Sequence, residues 1–182
     1  SGIYDVRVER VAGNLTDHYD PAHKVLRLSD SVYSSPSLAA IGVAAHETGH
    51  AVQHSVGYAP LSLRSAMVPL TNISSRLAMP LILIGILFGS SRGSDFGYLF
   101  IQAGIVLFAM AVVFSIVTLP VEFNASKRAV QMLGNYGILS SEELTPVRQV
   151  LSAAALTYVA AAISAIASLL RLILIFGRRN DR

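Results

Sequence analysis

The chain has 182 residues, of which 53% are hydrophobic and 14% are charged, and its formal net charge is +3. This composition excludes an ordinary soluble domain, and the absence of cysteine excludes disulfides, cysteine-ligated zinc and a thiol nucleophile. The excess of basic residues lies around the apolar runs, which suits lipid headgroups. Because no basic stripe with interleaved aromatics occurs, nucleic acid is not expected as a partner.

The N-terminal region has the pattern of a small β-sheet. Residues 3–11 alternate apolar and charged side chains, which predicts a half-buried strand. Residues 15–21 are polar and end in Asp-Pro, a turn signal, and residues 24–28 predict a second short strand. Together these segments predict a small β-hairpin or a three-stranded edge.

A helix is predicted from about Leu38 to Ser55, because Ser35-Pro36 or Ser37 provides a cap signal and Gly57 follows as a stop. Gly49 inside this helix costs about 1 kcal/mol relative to alanine. We interpret this glycine as a position where another element packs closely on the helix.

The same helix contains an H-E-x-x-H motif, formed by His46, Glu47 and His50. Positions four apart lie one above the other on a helix face, so the two imidazoles can bind one Zn²⁺ at about 2.0–2.1 Å each. Glu47 projects beside them, where it can accept a proton from a metal-bound water. A chance match in a chain of this composition has a probability of about half a per cent, which disfavours an ordinary helix with two incidental histidines.

Three stretches carry no Asp, Glu, Lys or Arg, namely 77–91, 96–121 and 149–170. Such apolar runs are transmembrane candidates. The strongly apolar part of the first, Leu77–Phe88, spans a bilayer only if its helix extends back through Ser75, Asn72 and Pro69. The sequence therefore predicts a mainly α membrane protein with about three transmembrane helices in a lipid bilayer.

The later helices are bounded by prolines. Phe96–Leu119 is long enough to span a bilayer, and Pro120 is predicted to kink or end this helix. A helix from about Val121 to Leu133 follows. Thr145-Pro146 predicts the start of a long helix whose apolar part is Leu151–Phe176.

A catalytic zinc held by two histidines needs a third protein ligand and an open position for water. His54 is close in sequence, but it lies about 80° around and 12 Å along the helix from His46. His18 and His23 lie in a polar loop, where no spacing rule supports them. We predict Glu122, because two membrane crossings return the chain there to the face that it left after the motif. A carboxylate at a helix start also gains from the helix dipole without any metal, and this alternative stays open.

We expect one folded domain over residues 1–182. Its predicted parts are a β-hairpin with the H-E-x-x-H helix (1–65), two membrane segments (66–120), a third-ligand helix (121–145), a third membrane helix (146–176) and a basic tail (177–182).

Three stretches resemble the YugP-type membrane zinc metallopeptidases and, more distantly, the HtpX-type gluzincins. They are 46–54 (H-E-T-G-H-A-V-Q-H), 15–21 (L-T-D-H-Y-D-P) and 120–129 (P-V-E-F-N-A-S-K-R-A), and the similarity covers nearly the whole chain, including 154–160. The resemblance implies one Zn²⁺ per chain, ligated by His46, His50 and Glu122, with Glu47 as the catalytic base. It also implies a small α+β gluzincin-like catalytic portion with a short β-sheet, in a multi-pass protein of a prokaryotic cell membrane.

The same resemblance bears on the N-terminus and on Asn124. The family usually begins with a further membrane helix and a helical segment, so we expect an N-terminal segment to be missing from this sequence. Asn124 stands where the family pattern has an acidic residue. It is our candidate for the residue that orients a ligating histidine from behind.

The leading hypothesis is a zinc-dependent membrane endopeptidase that hydrolyses peptide or protein substrates, membrane-associated ones included. A zinc-activated water attacks the peptide bond, and Glu47 acts as the general base. Candidates for transition-state or substrate contacts are His18, Tyr19, Arg128 and Tyr136. A strand such as 24–28 can pair with an extended substrate.

Two other functions compete with this hypothesis. A non-catalytic membrane scaffold or adaptor stabilised by zinc has no need of Glu47 between the histidines. A small transporter is disfavoured, because the spans lack inward-facing charges and broken-helix pairs. Membrane orientation is not predicted, because basic residues are equally numerous on the two faces: Arg64, Lys127, Arg128 and Arg148 on the active face, and Arg92, Arg178, Arg179 and Arg182 on the other.

Overall fold

The computed structural model describes residues 2–89 and 95–177. Arg92 and residues 178–182 of the expected basic tail lie outside the described residues. The elements, in chain order, are β1 (Arg7–Val11), β2 (His18–Asp20), β3 (Val25–Ser29), α1 (Asp30–Tyr33), α2 (Leu38–Ser55), α3 (Ala59–Gly89), α4 (Asp95–Asn135) and α5 (Ser141–Phe176). The prediction of a mainly helical chain with one short sheet is confirmed.

The sheet has three strands in the order β1-β3-β2, with β3 parallel to β1 and antiparallel to β2. The three-stranded alternative was therefore the correct one. The first strand begins at Arg7 rather than at residue 3, and the segment interpreted as a polar turn contains β2. Because β3 is the central strand, both of its edges are occupied, and the prediction that it pairs with a substrate was wrong.

Helix α2 has the bounds predicted from its sequence. The Ser37 side chain caps it by accepting a hydrogen bond from the backbone N–H of Ala40 at 3.2 Å. A Cβ added at Gly49 would lie 2.5 Å from the carbonyl oxygen of Ala125 on α4. The interpretation of this glycine is confirmed, because the backbone of α4 occupies the space that a side chain would need.

Helix α3 extends back from the apolar run to Ala59 and contains Pro69 and Pro80, so the condition for a membrane-length first helix is met. Helix α4 is continuous from Asp95 to Asn135 with Pro120 inside it. Of the two alternatives predicted at Pro120, the helix end was therefore wrong, and the helix predicted from about Val121 to Leu133 is a continuation of α4. The residues after Pro120 pack on α2, and this packing favours continuation of the helix over the break that proline alone favours.

Helix α5 begins at Ser141 rather than at Thr145-Pro146. The Ser140 N–H donates to the Glu143 carboxylate at 2.9 Å, and the Glu143 N–H donates to the Ser140 hydroxyl at 3.3 Å. This reciprocal capping box satisfies two free donors of the first turn, so the helix starts one turn earlier than the proline signal indicated.

Three helices among the described residues are long and apolar enough to cross a membrane: Ala59–Phe88, Phe96–Asn135 and Ser141–Phe176. The chain divides into two compact units. One combines the residues up to 62 with residues 119–157, and the other combines residues 63–118 with those from 158 onward. Each of the three membrane-length helices therefore has residues in both units.

Each unit has its own apolar core. The first contains the sheet and α2, and its core joins α2 to the end of α4 and the start of α5 through Ala45, Ala129, Leu133, Leu139, Leu144, Val147 and Leu151. The core of the second is built from Ile82, Ile101 and Ile105, with Leu169, Leu172 and Phe176 packed against it. The candidate site described next lies entirely within the first unit.

Candidate metal centre

Two helices of the first unit bring together the three predicted ligands. Helix α2 carries His46 and His50, and α4 presents Glu122 opposite them. The Glu122 Oε2 atom lies 3.2 Å from His46 Nε2 and 3.8 Å from His50 Nε2. One ligand atom from each of the three residues lies within 4.8 Å of the others, and this is the group among the described residues that can hold a metal ion.

The spacing of these atoms fits zinc. Two ligands at about 2.05 Å from a tetrahedral ion are about 3.3 Å apart, close to the two observed nitrogen–oxygen distances. The donor set of two imidazoles and one carboxylate is also that of catalytic zinc sites with an open fourth position. The type and the spacing of these residues therefore fit a zinc ion.

The residues of the site differ in their exposure to solvent. Glu122 is 3% exposed, His50 is 8% exposed and Glu47 is 9% exposed, while His46 is half-buried. Burial of such groups is costly unless they are paired or bind an ion. The open side of the group is therefore the side of His46.

The orientation of His50 is set by Gln53, whose side chain is fully buried. Gln53 Nε2 donates to the Val121 carbonyl at 2.8 Å and to Asn124 Oδ1 at 3.0 Å, so its Oε1 is left to face His50 Nδ1 at 3.0 Å. Since Oε1 can only accept, His50 carries its proton on Nδ1. Because Nδ1 is engaged with Gln53, Nε2 is the nitrogen of His50 that is available to share an ion with Glu122.

Asn124 occupies the next position in this chain of hydrogen bonds. Its Oδ1 accepts from Gln53 and, at 2.8 Å, from Arg128 Nε. Asn124 was the candidate for a direct partner of a ligating histidine, and in the structure its contact with His50 runs through Gln53. The candidate substrate contact Arg128 is likewise engaged with Asn124 on α4.

His46 has a different partner. Its Nδ1 lies 3.1 Å from the hydroxyl of Ser126, one turn after Glu122 on α4. Sequence reasoning missed both Ser126 and Gln53. A signal was present for Gln53, because it follows His50 by three residues and so lies on the same face of α2.

Glu47 lies beside the ligand group and against β2. Burial raises its pKa above the usual carboxyl range, and the charges of His50 and His46 oppose this rise. The backbone N–H of Tyr19 on β2 also donates a hydrogen bond to Glu47. The carboxylate is therefore held between the two histidines and the outer strand of the sheet.

The remaining candidates are not part of the ligand group. His18 is exposed and bonds to the Thr16 carbonyl at 2.7 Å. The Tyr19 hydroxyl lies 2.8 Å from His54 Nδ1, and the Tyr19 ring contacts the His54 ring. The backbone of Tyr19 faces Glu47.

Tyr136 lies elsewhere in the first unit. It is 59% exposed and lines a mainly apolar cavity of about 330 Å³ between α2 and the end of α4. His23 bonds to Asp20 at 2.8 Å in the turn between β2 and β3.

Comparison with known proteins agrees with the geometry. A family described as "Putative neutral zinc metallopeptidase" matches residues 1–177. The chain is 50% identical over 181 residues to the "Putative membrane protease YugP" of Bacillus subtilis (strain 168). The aligned residues cover 100% of this chain and 77% of that protein. No solved structure matches the chain. The chain therefore belongs to this family of neutral zinc metallopeptidases.

Proposed function

We propose that the protein is a zinc-dependent endopeptidase integral to a prokaryotic cell membrane, with several membrane crossings and one Zn²⁺ per chain. The observation that carries this proposal is the convergence of His46, His50 and Glu122 beside the buried carboxylate of Glu47. Family membership and the name of the Bacillus relative, "Putative membrane protease YugP", support it. The three membrane-length helices support the location.

The chemistry divides between the metal and the chain. Zn²⁺, when bound by the three ligands, supplies a Lewis acid that polarises a peptide carbonyl and acidifies water. Glu47 accepts the proton of the attacking water and delivers it to the leaving amine. The raised pKa of Glu47 suits this role, because a general base is most effective when its pKa approaches the working pH.

Strand β2 is the proposed site for the substrate backbone. It is an outer strand of the sheet, and its Tyr19 N–H is directed at Glu47. An extended peptide that added to this edge would pass beside the proposed base. This assignment replaces the central strand that the sequence suggested.

The competing function is a zinc-stabilised scaffold or adaptor without catalysis. A structural zinc site has four protein ligands, whereas a catalytic one has three and keeps one position open. The ligand group among the described residues has three members, and a carboxylate that need not bind the metal is buried next to it. Both features favour the endopeptidase.

The deciding experiment is a Glu47→Gln substitution in the full chain, purified in detergent. We expect the variant to retain about one zinc per chain and to lose about 10²–10⁴-fold in peptide cleavage, the usual contribution of a general base. A chelator should abolish cleavage by the wild type, and added zinc should restore it. The exposed Glu142→Gln serves as the matched control and should keep both zinc and activity.

Three results would contradict the proposal. Zinc-loaded Glu47→Gln that cleaves as fast as the wild type excludes this carboxylate as the base. A wild-type protein that loses thermal stability on zinc removal but cleaves no protein or peptide supports the scaffold. Extraction of the protein from membranes by an alkaline wash would contradict the integral location.

A further inference from the structure

A second feature of the first unit has no part in the proposed chemistry. A cavity of about 400 Å³ opens between α4 and α5, and its lining combines apolar and basic side chains. Its apolar lining includes Phe123, Leu151 and Ala155, and its two cations are Lys127 and Arg148. We call this cavity the basic groove.

The two cations of the basic groove are not paired with a carboxylate of the described residues. Lys127 and Arg148 are both exposed, and neither has a carboxylate within ion-pair distance in the part of the chain that the structure describes. By contrast, Arg10 pairs with Asp30 at 2.6 Å on the same unit. The basic groove therefore presents uncompensated positive charge next to apolar surface, and this combination suits an anionic amphiphile.

The order of polarity along the groove is the same on both helices. Phe123 lies two residues after the end of the charge-free run 96–121 of α4, and Lys127 lies one turn, about 6 Å, further on. On α5, Ala155 lies within the charge-free run 149–170, and Arg148 lies about 10 Å before it.

The two helices are antiparallel here, since α4 ends at Asn135, α5 begins at Ser141 and their facing residues share one core. Both cations therefore lie on the same side of the apolar part of the groove. This is the order of headgroup and acyl chain in a phospholipid.

We propose that the basic groove binds one anionic phospholipid, with its phosphate between Lys127 and Arg148 and an acyl chain along Phe123 and Leu151. The site rests on the membrane location in the proposed function but not on the peptidase activity. An acidic side chain of a substrate is the competing occupant, because Ser126 both lines the groove and contacts His46. The apolar end favours the lipid, because a peptide backbone there would leave polar groups without partners.

The absence of tryptophan from the chain allows a direct test. A Phe123→Trp reporter places the one fluorophore of its kind in the groove, and the full chain is placed in nanodiscs that contain brominated phosphatidylglycerol or brominated phosphatidylcholine. We expect the anionic lipid to quench the reporter preferentially. Each of the substitutions Lys127→Gln and Arg148→Gln should lower this preference about fivefold, and the double variant should bring it close to one.

Arg7→Gln is the charge-matched control, because Arg7 lies on β1 outside the groove. It should leave the lipid preference unchanged. A chelator-treated sample, which has lost its peptidase activity, should show the same preference as the zinc-loaded protein. This arm separates lipid binding from the proposed catalysis.

Three results would overturn the inference. Equal quenching by the two lipids excludes selective binding of the anionic one. Absence of quenching by either lipid contradicts the membrane location as well. An unchanged lipid preference in the double variant, combined with slower cleavage of peptides that carry acidic side chains, identifies the basic groove as a substrate subsite instead.

Discussion

Gln53→Leu is the substitution that tests the organisation of the metal centre most directly. Leucine fills a similar volume, but it removes the acceptor that faces His50 Nδ1 and the donors to Val121 and Asn124. Neither loss can be repaired by bulk water, because Gln53 is fully buried. The expected result is a weaker zinc site in a protein that still folds.

The magnitude follows from these contacts. A buried ring N–H without a partner costs about 1–3 kcal/mol, and it also permits the tautomer of His50 in which Nε2 is protonated and cannot bind zinc. Loss of a residue that orients a ligating histidine typically lowers metal affinity about 10–100-fold. The two estimates agree, because tenfold in affinity corresponds to about 1.4 kcal/mol.

The assay is a zinc competition titration against a chromophoric chelator, with purified protein in detergent. Gln53→Glu keeps an acceptor for the His50 N–H but loses both donors, so it should retain zinc affinity within a few-fold while its thermal stability falls. Gln149→Leu makes the same replacement at an exposed position and serves as the control.

Two outcomes would refute the reasoning. A folded Gln53→Leu variant with a zinc dissociation constant within twofold of the wild type shows that His50 needs no orienting partner. Equal losses of zinc affinity in the leucine and glutamate variants show that Gln53 acts through packing between helices rather than through its acceptor oxygen.

Three further predictions concern the same unit. Gly49→Ala should lower the free energy of unfolding by about 1–3 kcal/mol despite the better helix propensity of alanine, because its Cβ would lie 2.5 Å from a backbone oxygen of α4. Hydrogen bonds from His23 hold the pKa of Asp20 well below 3.8, so Asp20 contributes stability above the unfolded-state pKa that is lost as the pH falls below it. Between pH 7 and pH 3, the stability measured by thermal unfolding should fall less in Asp20→Asn than in the wild type. Ser126→Ala should lower zinc affinity by less than tenfold, because Nδ1 of the half-buried His46 can donate to a water molecule in place of the serine hydroxyl.

Matched variants control these predictions. Gly42→Ala should be less destabilising than Gly49→Ala in the same helix, since its Cβ would meet a side-chain methyl of Val147 at 3.0 Å rather than a backbone oxygen at 2.5 Å. Glu142→Gln and Ser152→Ala change exposed residues and should leave acid stability and zinc affinity unaltered. Wild-type stability of Gly49→Ala would contradict the close contact with α4. An unchanged acid profile of Asp20→Asn would contradict the stabilising hydrogen bonds from His23. A loss of zinc affinity in Ser126→Ala as large as that in Gln53→Leu would contradict the minor role of the serine hydroxyl.

Local geometry explains why much of the site was predictable. The 3.6-residue period of a helix fixes two histidines four residues apart on one face, whatever the rest of the fold does. The bounds of α2 follow from a serine cap and a glycine stop, which are also local signals. Charge-free runs identify membrane-length helices by composition, since no other element needs that many consecutive uncharged residues.

The errors in the sequence prediction arose where a local signal was overridden by a tertiary contact or by another local signal. Pro120 indicates a helix end, but α4 continues because the residues beyond it pack on α2. Thr145-Pro146 indicates a helix start, although the capping box of Ser140 and Glu143 begins α5 earlier. The strand β2 has only three residues, and its identity depends on pairing with β3 rather than on its own pattern.

By itself, the sequence determined the H-E-x-x-H helix, the three membrane-length helices and, through the count of crossings, the expectation that Glu122 completes the ligand group. Tertiary structure decided which groups hold the ligands in place. Gln53 orients His50 only because α4 supplies two acceptors that fix its amide, and Ser126 reaches His46 only because the helix continues past Pro120. The physical reason is distance along the chain: these contacts join residues about 70–80 positions apart, and no local period or cap encodes them.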